Sequence, residues 1–298
     1  FINIDPRSAA FNTIVSETRV ADGPSKLAWQ PDGESILVLS RLSNSLSILS
    51  GADFSVQNIV TGSLVSPLDI AVTPRFVTTG NTSGVYYAYI LNQNGSIVVY
   101  ESGPSGVNGI GFDDMIGGVN LTFRRATRIR FDYTSILGGI YVAHTDESGV
   151  GVVSRLELTS SPVGQQPTQQ NSGGFILPPT FRQKTWGVTQ KFGGSDPTVP
   201  GNQRLSGNSP IDVCTDEMLN FGYGPNQLTN YSNQLGVSIL QHSSKGAVLF
   251  PAGAGVPPFT PKYLFVALND VGLVDVFDLQ TRVKITTIQI PGVTSLTN

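Results

Sequence analysis

The chain has 298 residues, 39% of them hydrophobic, enough to bury a large core in one repeat-built domain or two ordinary ones. Only 13% are charged and the net charge is −3, which leaves no surplus of Lys and Arg to face a phosphate backbone and excludes nucleic acid as a partner. Cys214 is the one cysteine, so there is no intrachain disulfide and no cysteine-based zinc or haem site; no apolar run approaches the roughly 20 residues of a membrane-crossing helix.

With 33 Gly and 19 Pro, the chain reads as many short strands joined by turns, solubilised by Ser, Thr, Asn and Gln rather than by charge. Residues 1–5 read as the third strand of a four-stranded unit and 12–20 as its outermost strand, with the two inner strands missing. The clearest complete unit follows. Gly23-Pro24 breaks the chain, Leu27-Ala28-Trp29 form a short apolar strand, Pro31-Asp32-Gly33 make a tight turn, residues 36–50 form an alternating hairpin, and residues 55–60 form an outer strand. Ser66-Pro67-Leu68-Asp69-Ile70 and Ser209-Pro210-Ile211-Asp212-Val213 are nearly the same word and mark two further inner strands. Residues 86–100 form a hairpin around Asn94-Gly95, the turn dipeptide whose positive backbone angles match strand twist, and residues 140–153 form another. Residues 160–174 and 193–202 are poor in apolar side chains and rich in breakers, so the span from about 158 to 210 reads as long loop insertions; a shorter Pro-rich insertion occupies 251–262. Residues 284–290 close a unit as an outer strand, and 291–298 begin the next inner strand.

Three stretches, 37–50, 237–250 and 265–278, repeat one phrase: a β-rich run, a polar turn and a second β-rich run. Such a hairpin cannot bury both faces alone and must stack on copies of itself. The phrase at 23–50 and again at 263–290 resembles the YVTN family of β-propeller repeats, relatives of the NHL repeats, in which Gly-Pro-x-Gly-Val-Ala-Val-x-Pro-Asp-Gly precedes Tyr-Val-Thr-Asn and Val-Ser-Val-Ile-Asp. Tyr-Val-Thr-Asn itself is absent. The resemblance implies an all-β fold, a β-propeller of six or seven four-stranded blades with six favoured, in one domain over 1–298. It places the Val-Ala-Val strand innermost. The ring is closed by the two terminal segments, or the chain is part of a longer one; closure matters because an open sheet edge invites aggregation.

The chemistry-bearing words are mostly missing: no Gly-x-Ser-x-Gly elbow, no His-Glu-x-x-His, no P-loop, no EF-hand loop. His144 reads as a hairpin-end residue, and Cys214 as a small core residue in the place of Ala71. No catalytic residue, metal site or cofactor is expected. Arg124, Arg125, Arg128 and Arg130 suggest an anion site, but Asp113, Asp114 and Asp132 lie close enough in sequence to neutralise it. Asp212, Asp216 and Glu217 fall short of the oxygens that calcium wants. One constellation stands out: Lys26, Asp69, Arg128 and Asp212 each precede the apolar pair of an inner strand. In a propeller that register gathers them at one mouth of the central channel, as a polar funnel for a small charged ligand or as mutually satisfied salt bridges plugging it.

Two functional classes remain. The first is a non-enzymatic extracellular, cell-surface or periplasmic binding or scaffolding propeller, a module of a larger surface protein, with a protein or glycan partner on one face or on the 158–210 loops. The second is a lactonase-like propeller hydrolase with a polar or metal site at the channel mouth. The rim offers as many cations as anions, which favours the first, since propellers host both.

Overall fold

A computed structural model describes residues 1–30, 33–73, 76–78, 81–102, 113–131, 139–158, 186–216, 237–243, 246–251, 262–289 and 291–294. The first blade is β1 (Pro24–Trp29), β2 (Ser35–Ser40), β3 (Ser45–Ser50) and β4 (Val56–Thr61), paired in that order. The second is β5 (Pro67–Val72), then β8 (Tyr87–Asn92), β9 (Ser96–Glu101) and β10 (Asp114–Thr122); a small hairpin, β6 (Phe76–Thr78) and β7 (Asn81–Val85), is inserted after its first strand. The third is β11 (Arg128–Phe131), β12 (Ile140–Thr145), β13 (Gly151–Leu158) and β14 (Trp186–Gly193). The fourth begins with β15 (Pro210–Thr215), carries the inserted hairpin β16 (Val237–Ser243) and β17 (Gly246–Pro251), and is completed by β18 (Tyr263–Leu268), β19 (Leu273–Asp278) and β20 (Lys284–Gln289). Every pairing is antiparallel, and β5 packs on β1, β11 on β5, and β15 on β11, so the first strands form the inner wall of a β-propeller.

Period-two side-chain alternation builds the layers. In β2, Leu37 and Leu39 enter the layer between the first and second blades with Ile70, Ile90 and Tyr100, whereas Ile36 and Val38 face the opposite side. The next layer joins Tyr89, Leu91 and Val99 to Ile129, Phe131 and Val142. The third joins Tyr141, Val153 and Phe192 to Val213, Leu264 and Phe277. Each fully buried Leu, Ile or Phe contributes about 1.5–3 kcal/mol, so these layers hold neighbouring blades together.

Ile70, Ile129 and Val213 are buried as their register predicts; Trp29 is not. Its position in β1 turns it, with Leu27, away from the second blade, and the two are 48% and 61% exposed. Leu249 has a side chain outside the described residues. Residues 1–5 and 12–16 pair antiparallel, through the bridge Ile2–Ile14 and the bonds Asn3 N to Thr13 O and Val15 N to Phe1 O, short of the full strands expected. This hairpin docks on the first blade: Phe1 stacks on Phe54 at 3.8 Å, and both, with Val20, pack on Ile36, Val38 and Leu49.

Two further expectations change. The span 158–210 includes β14, the outer strand of the third blade, and its tail is pinned rather than free: Asp146 accepts from Ser195 N at 2.5 Å, Asp270 from Asn208 N at 2.7 Å, and Asp275 from Ser206 N at 2.6 Å. The hairpin at 237–250 is not the second and third strands of the blade begun by β15. That place belongs to β18 and β19, because β15 pairs with β18 from Pro210 opposite Leu268 to Thr215 opposite Leu264. Where an inner strand is expected to begin, over 291–298, residues 291–294 form a turn instead, and 295–298 lie outside the described residues.

Because strands alternate in direction, the connections between first and second strands and between third and fourth strands leave from one face, and all others leave from the opposite face. The first set contains the long spans 73–86, 102–113, 132–139, 159–185 and 216–262; the opposite face has the short connections 41–44, 62–66, 93–95, 123–127, 146–150 and 269–272 and one long one, 194–209. Two of the long spans are clamped at the neck. Thr73 N donates to Tyr87 O and Tyr87 N to Thr73 Oγ1, both at 2.9 Å, and Asp216 accepts from Lys262 N at 3.0 Å, so insertions of very different length cost the blades little.

Candidate functional site

Lys26, Asp69, Arg128 and Asp212 occupy equivalent positions. They pair with Leu39, Leu91, Ala143 and Ala267, each one step before the end of the second strand of its blade or two steps before it. In three of the four blades a proline opens the inner strand and the register slips between it and the charged residue, at Pro24/Lys26, Pro67/Asp69 and Pro210/Asp212. Proline cannot donate to the ladder, so it starts the strand and the irregularity follows. The four positions lie toward the N-terminal ends of the inner strands, on the face with the short connections.

Alternation decides where each side chain points. Ile70, Ile129 and Val213 pack back onto the preceding blade, so the charged residue before each points forward to the next blade. Asp69 of the second blade therefore meets the third: Oδ2 accepts from Ile129 N at 3.0 Å and from Arg130 Nη1 at 3.0 Å, and Oδ1 from Arg128 Nη1 at 3.4 Å. Arg128 of the third blade meets the fourth, with Nε 3.3 Å from Asp212 Oδ1, which also lies 3.1 Å from Arg130 Nη2 and accepts from Val213 N at 2.8 Å. The result is a relay of alternating charge across three inner strands. Asp69 and Arg128 are buried at its centre, with side chains 4% and 7% exposed; Arg130 and Asp212 are its outer members, at 29% and 42%.

Three of the four expected residues thus come together. Lys26 does not join them: it sits in register on β1 but makes no ion pair among the described residues. Arg130 is the member the register argument passed over. Its signal is simple, since two residues beyond Arg128 on one strand is the same face. The arginine cluster expected at 124–130 divides. Arg128 and Arg130 go to the relay, Arg124 Nη1 donates to Glu147 O at 2.7 Å, and Asp113 is engaged elsewhere, accepting from Tyr100 Oη at 2.6 Å and Asn58 Nδ2 at 2.7 Å. Asp132 and Glu217 lie outside the described residues. Asp216 is occupied with the neck of the 217–261 insertion.

Two reactive types have structural settings. His144 Nδ1 donates to Thr145 O at 2.9 Å, which leaves Nε2 to accept from Ser154 Oγ at 2.8 Å, and its ring meets the edge of Phe123. That pairing has the donor order of a nucleophile and its base, yet Ser154 is fully buried and no substrate reaches it. Burial holds the His144 pKa below the usual value. Burial, reinforced by Asp212 and Asp216, pushes the Cys214 thiol up to about 11, so it stays protonated at neutral pH and is a poor nucleophile. Asp275, fully buried, is neutralised by hydrogen bonds from Ser206 and Thr287 Oγ1 and by Lys284 at 3.6 Å; it ties the 194–209 connection to the fourth blade.

No protein-family model and no curated protein matches the chain. Among solved structures it is similar to hydrazine synthase of Kuenenia stuttgartiensis, with 14% identity over 92% of this chain and 51% of that one, TM-score 0.48. It is also similar to the β-propeller domain of Cps50 (Swd1) of Myceliophteria thermophila, with 11% identity, 94% of this chain and 61% of that one, TM-score 0.43. A third is a putative 6-phosphogluconolactonase of Bacteroides uniformis, with 11% identity, 89% of this chain and 54% of that one, TM-score 0.44. The chain therefore spans between about half and three fifths of the length of the structures it matches. Its own four stacked blades, joined along their inner strands, make it a β-propeller.

Proposed function

We propose that this chain is a non-enzymatic binding or scaffolding propeller of the YVTN/NHL type, a single domain belonging to a larger extracellular, cell-surface or periplasmic assembly. The partner, a protein or a glycan, meets the face that carries the long connections, including the 159–185 span. The observation that carries this reading is the relay itself. Both oxygens of Asp69 and Oδ1 of Asp212 are engaged by Arg128, Arg130 and backbone N–H groups, so the mouth on the short-connection face spends its charge on holding blades together. A hydrolase of lactonase type needs a carboxylate or a cation there that acts on something else.

The test replaces Asp69 and Asp212 together by Asn and measures thermal unfolding beside hydrolysis of a panel of lactones, with and without added divalent cations. The expected result is a lower unfolding temperature, with no lactone hydrolysis in either protein. Hydrolysis by the wild-type chain that a still-folded double variant has lost would establish the hydrolase in its place.

A further inference from the structure

Three inner strands end at matched positions on the face with the long connections. Trp29, Val72 and Thr215 are the last residues paired to the second strand of their blades, opposite Ile36, Ala88 and Leu264. The residue that follows each of them carries a side-chain oxygen, as Gln30, Thr73 and Asp216, and that oxygen accepts from the backbone of the returning chain. Gln30 Oε1 accepts from Glu34 N at 3.2 Å, and Thr73 Oγ1 from Tyr87 N at 2.9 Å. Asp216 Oδ1 accepts from Lys262 N at 3.0 Å and Tyr263 N at 3.3 Å. Main-chain bonds reinforce the first two necks: Gln30 N donates to Ser35 O at 2.8 Å and Thr73 N to Tyr87 O at 2.9 Å. Counted back from the last ladder pair, Glu34 and Lys262 hold one position, and Ser35, Tyr87 and Tyr263 hold the next.

The side chain thus adds one rung beyond the strand ladder. It brings the two ends of the connection together whatever lies between them. Gln30 and Thr73 are fully buried, where a polar group has to be satisfied on the spot, so their bonds are built into the blade. What lies between is 31–33 in the first blade, 74–86 in the second and 217–261 in the fourth. Within 217–261, strands β16 and β17 pair with each other from Val237 opposite Pro251 to Ser243 opposite Gly246, and with none of the four blade sheets. Once its ends are fixed, the entropic cost of a connection grows only with the logarithm of its length.

We propose that 217–261 is a graft on a closed neck: the fourth blade folds without it, and Asp216 is the clamp that isolates it. Removing the insertion leaves β15, β18, β19 and β20 paired as they are, and whatever the insertion binds is separable from the ring. This inference concerns folding and stands whether or not the chain is a binding module.

Two shortened chains test the graft. In one, 217–261 is replaced by Pro-Asp-Gly, the sequence at 31–33; in the other it is replaced by about ten residues of Gly and Ser, a flexible link that imposes no turn type. Thermal unfolding and amide exchange are read beside the parent. At least one shortened chain is expected to unfold cooperatively no more than about 5 °C below the parent, with amide protection of β15, β18 and β19 kept within about threefold. Loss of that protection in both shortened chains overturns the graft. Asp216→Ala in the full chain tests the clamp. Exchange of the Lys262 amide is expected to rise by about tenfold or more, with Asp216→Asn in between, while the centres of β18 and β19 stay protected. Unchanged exchange of that amide in Asp216→Ala overturns the clamp, and with it the proposal.

Discussion

Asp69→Ala is the perturbation that most directly weighs the inner-strand relay. The carboxylate accepts three hydrogen bonds, and its loss leaves Arg128, 7% exposed, short of one carboxylate while Asp212 at 3.3 Å remains. Breaking one partner of a buried pair typically costs about 3–5 kcal/mol because a charge is left uncompensated, and the Ile129 N–H also loses its acceptor at about 1–3 kcal/mol. The surviving contact to Asp212 and the partial exposure of Arg130 reduce the total, so about 3–4 kcal/mol is expected. Asp69→Asn keeps an acceptor for the Ile129 N–H and is expected to cost about 1 kcal/mol less. Arg7→Ala is the control: its pairing with Asp5 at 3.1 Å is on the surface, where such pairs contribute little. Urea unfolding followed by far-ultraviolet circular dichroism measures all three, together with a double-mutant cycle between Asp69 and Arg128 that reads their coupling directly. If Asp69→Ala shifts the midpoint no more than Arg7→Ala, the relay does not hold the blades and the argument for its structural role fails.

Other perturbations probe the remaining layers. Ile129→Ala empties a fully buried site between the second and third blades and is expected to cost about 2–5 kcal/mol in the same unfolding assay, whereas Leu27→Ala, at a 61% exposed position, costs under about 1 kcal/mol. Gly95→Ala forces a side chain onto a residue at φ +83° and puts its Cβ 1.9 Å from the Phe123 carbonyl oxygen, so poor expression or a clearly lowered melting temperature is expected. His144 is held neutral by burial, its folded pKa lying below 6.5; its contribution is present above that pH and is lost as pH falls toward the folded value. A His144→Gln variant should therefore flatten the loss of melting temperature between about pH 6.5 and 5, and an unchanged slope refutes the assignment.

Much of this fold was legible because propeller blades announce themselves locally. Pro-x-charge-apolar at 67–70 and 210–213 marks the start of an inner strand for a physical reason: proline cannot sit within the ladder, and a buried apolar residue must follow on the side of the neighbouring blade. The same words placed Asp69 and Asp212 in one register, the repeat alignment added Arg128, and the structure joins the three. What failed was long-range. The phrase at 237–250 satisfies every local condition of a blade hairpin, and only the competition between it and β18 for the edge of β15 decides which becomes the second strand. Local pattern cannot see a competition between segments so far apart.

Trp29 fails for a related reason. Its alternation was read correctly, but burial is a property of two surfaces, and the sequence of one strand says nothing of whether its partner face is present. The relay has the same asymmetry. Asp69 is neutralised by the third blade and Arg128 by the fourth, while Asp212 is met from the third blade by Arg128 and Arg130 and is the most exposed member. Lys26, at the other end, points toward the second blade, where Asp69 has already turned to the third. The relay thus runs in one direction, with a buried middle and two open ends. A buried middle resists deletion of either partner, and open ends tolerate substitution, so the cost of removing a charge should fall from Asp69 and Arg128 to Asp212 to Lys26. That ranking depends only on which blade each side chain faces. A chain in which Lys26→Ala costs as much as Asp69→Ala has its relay closed through the first blade as well.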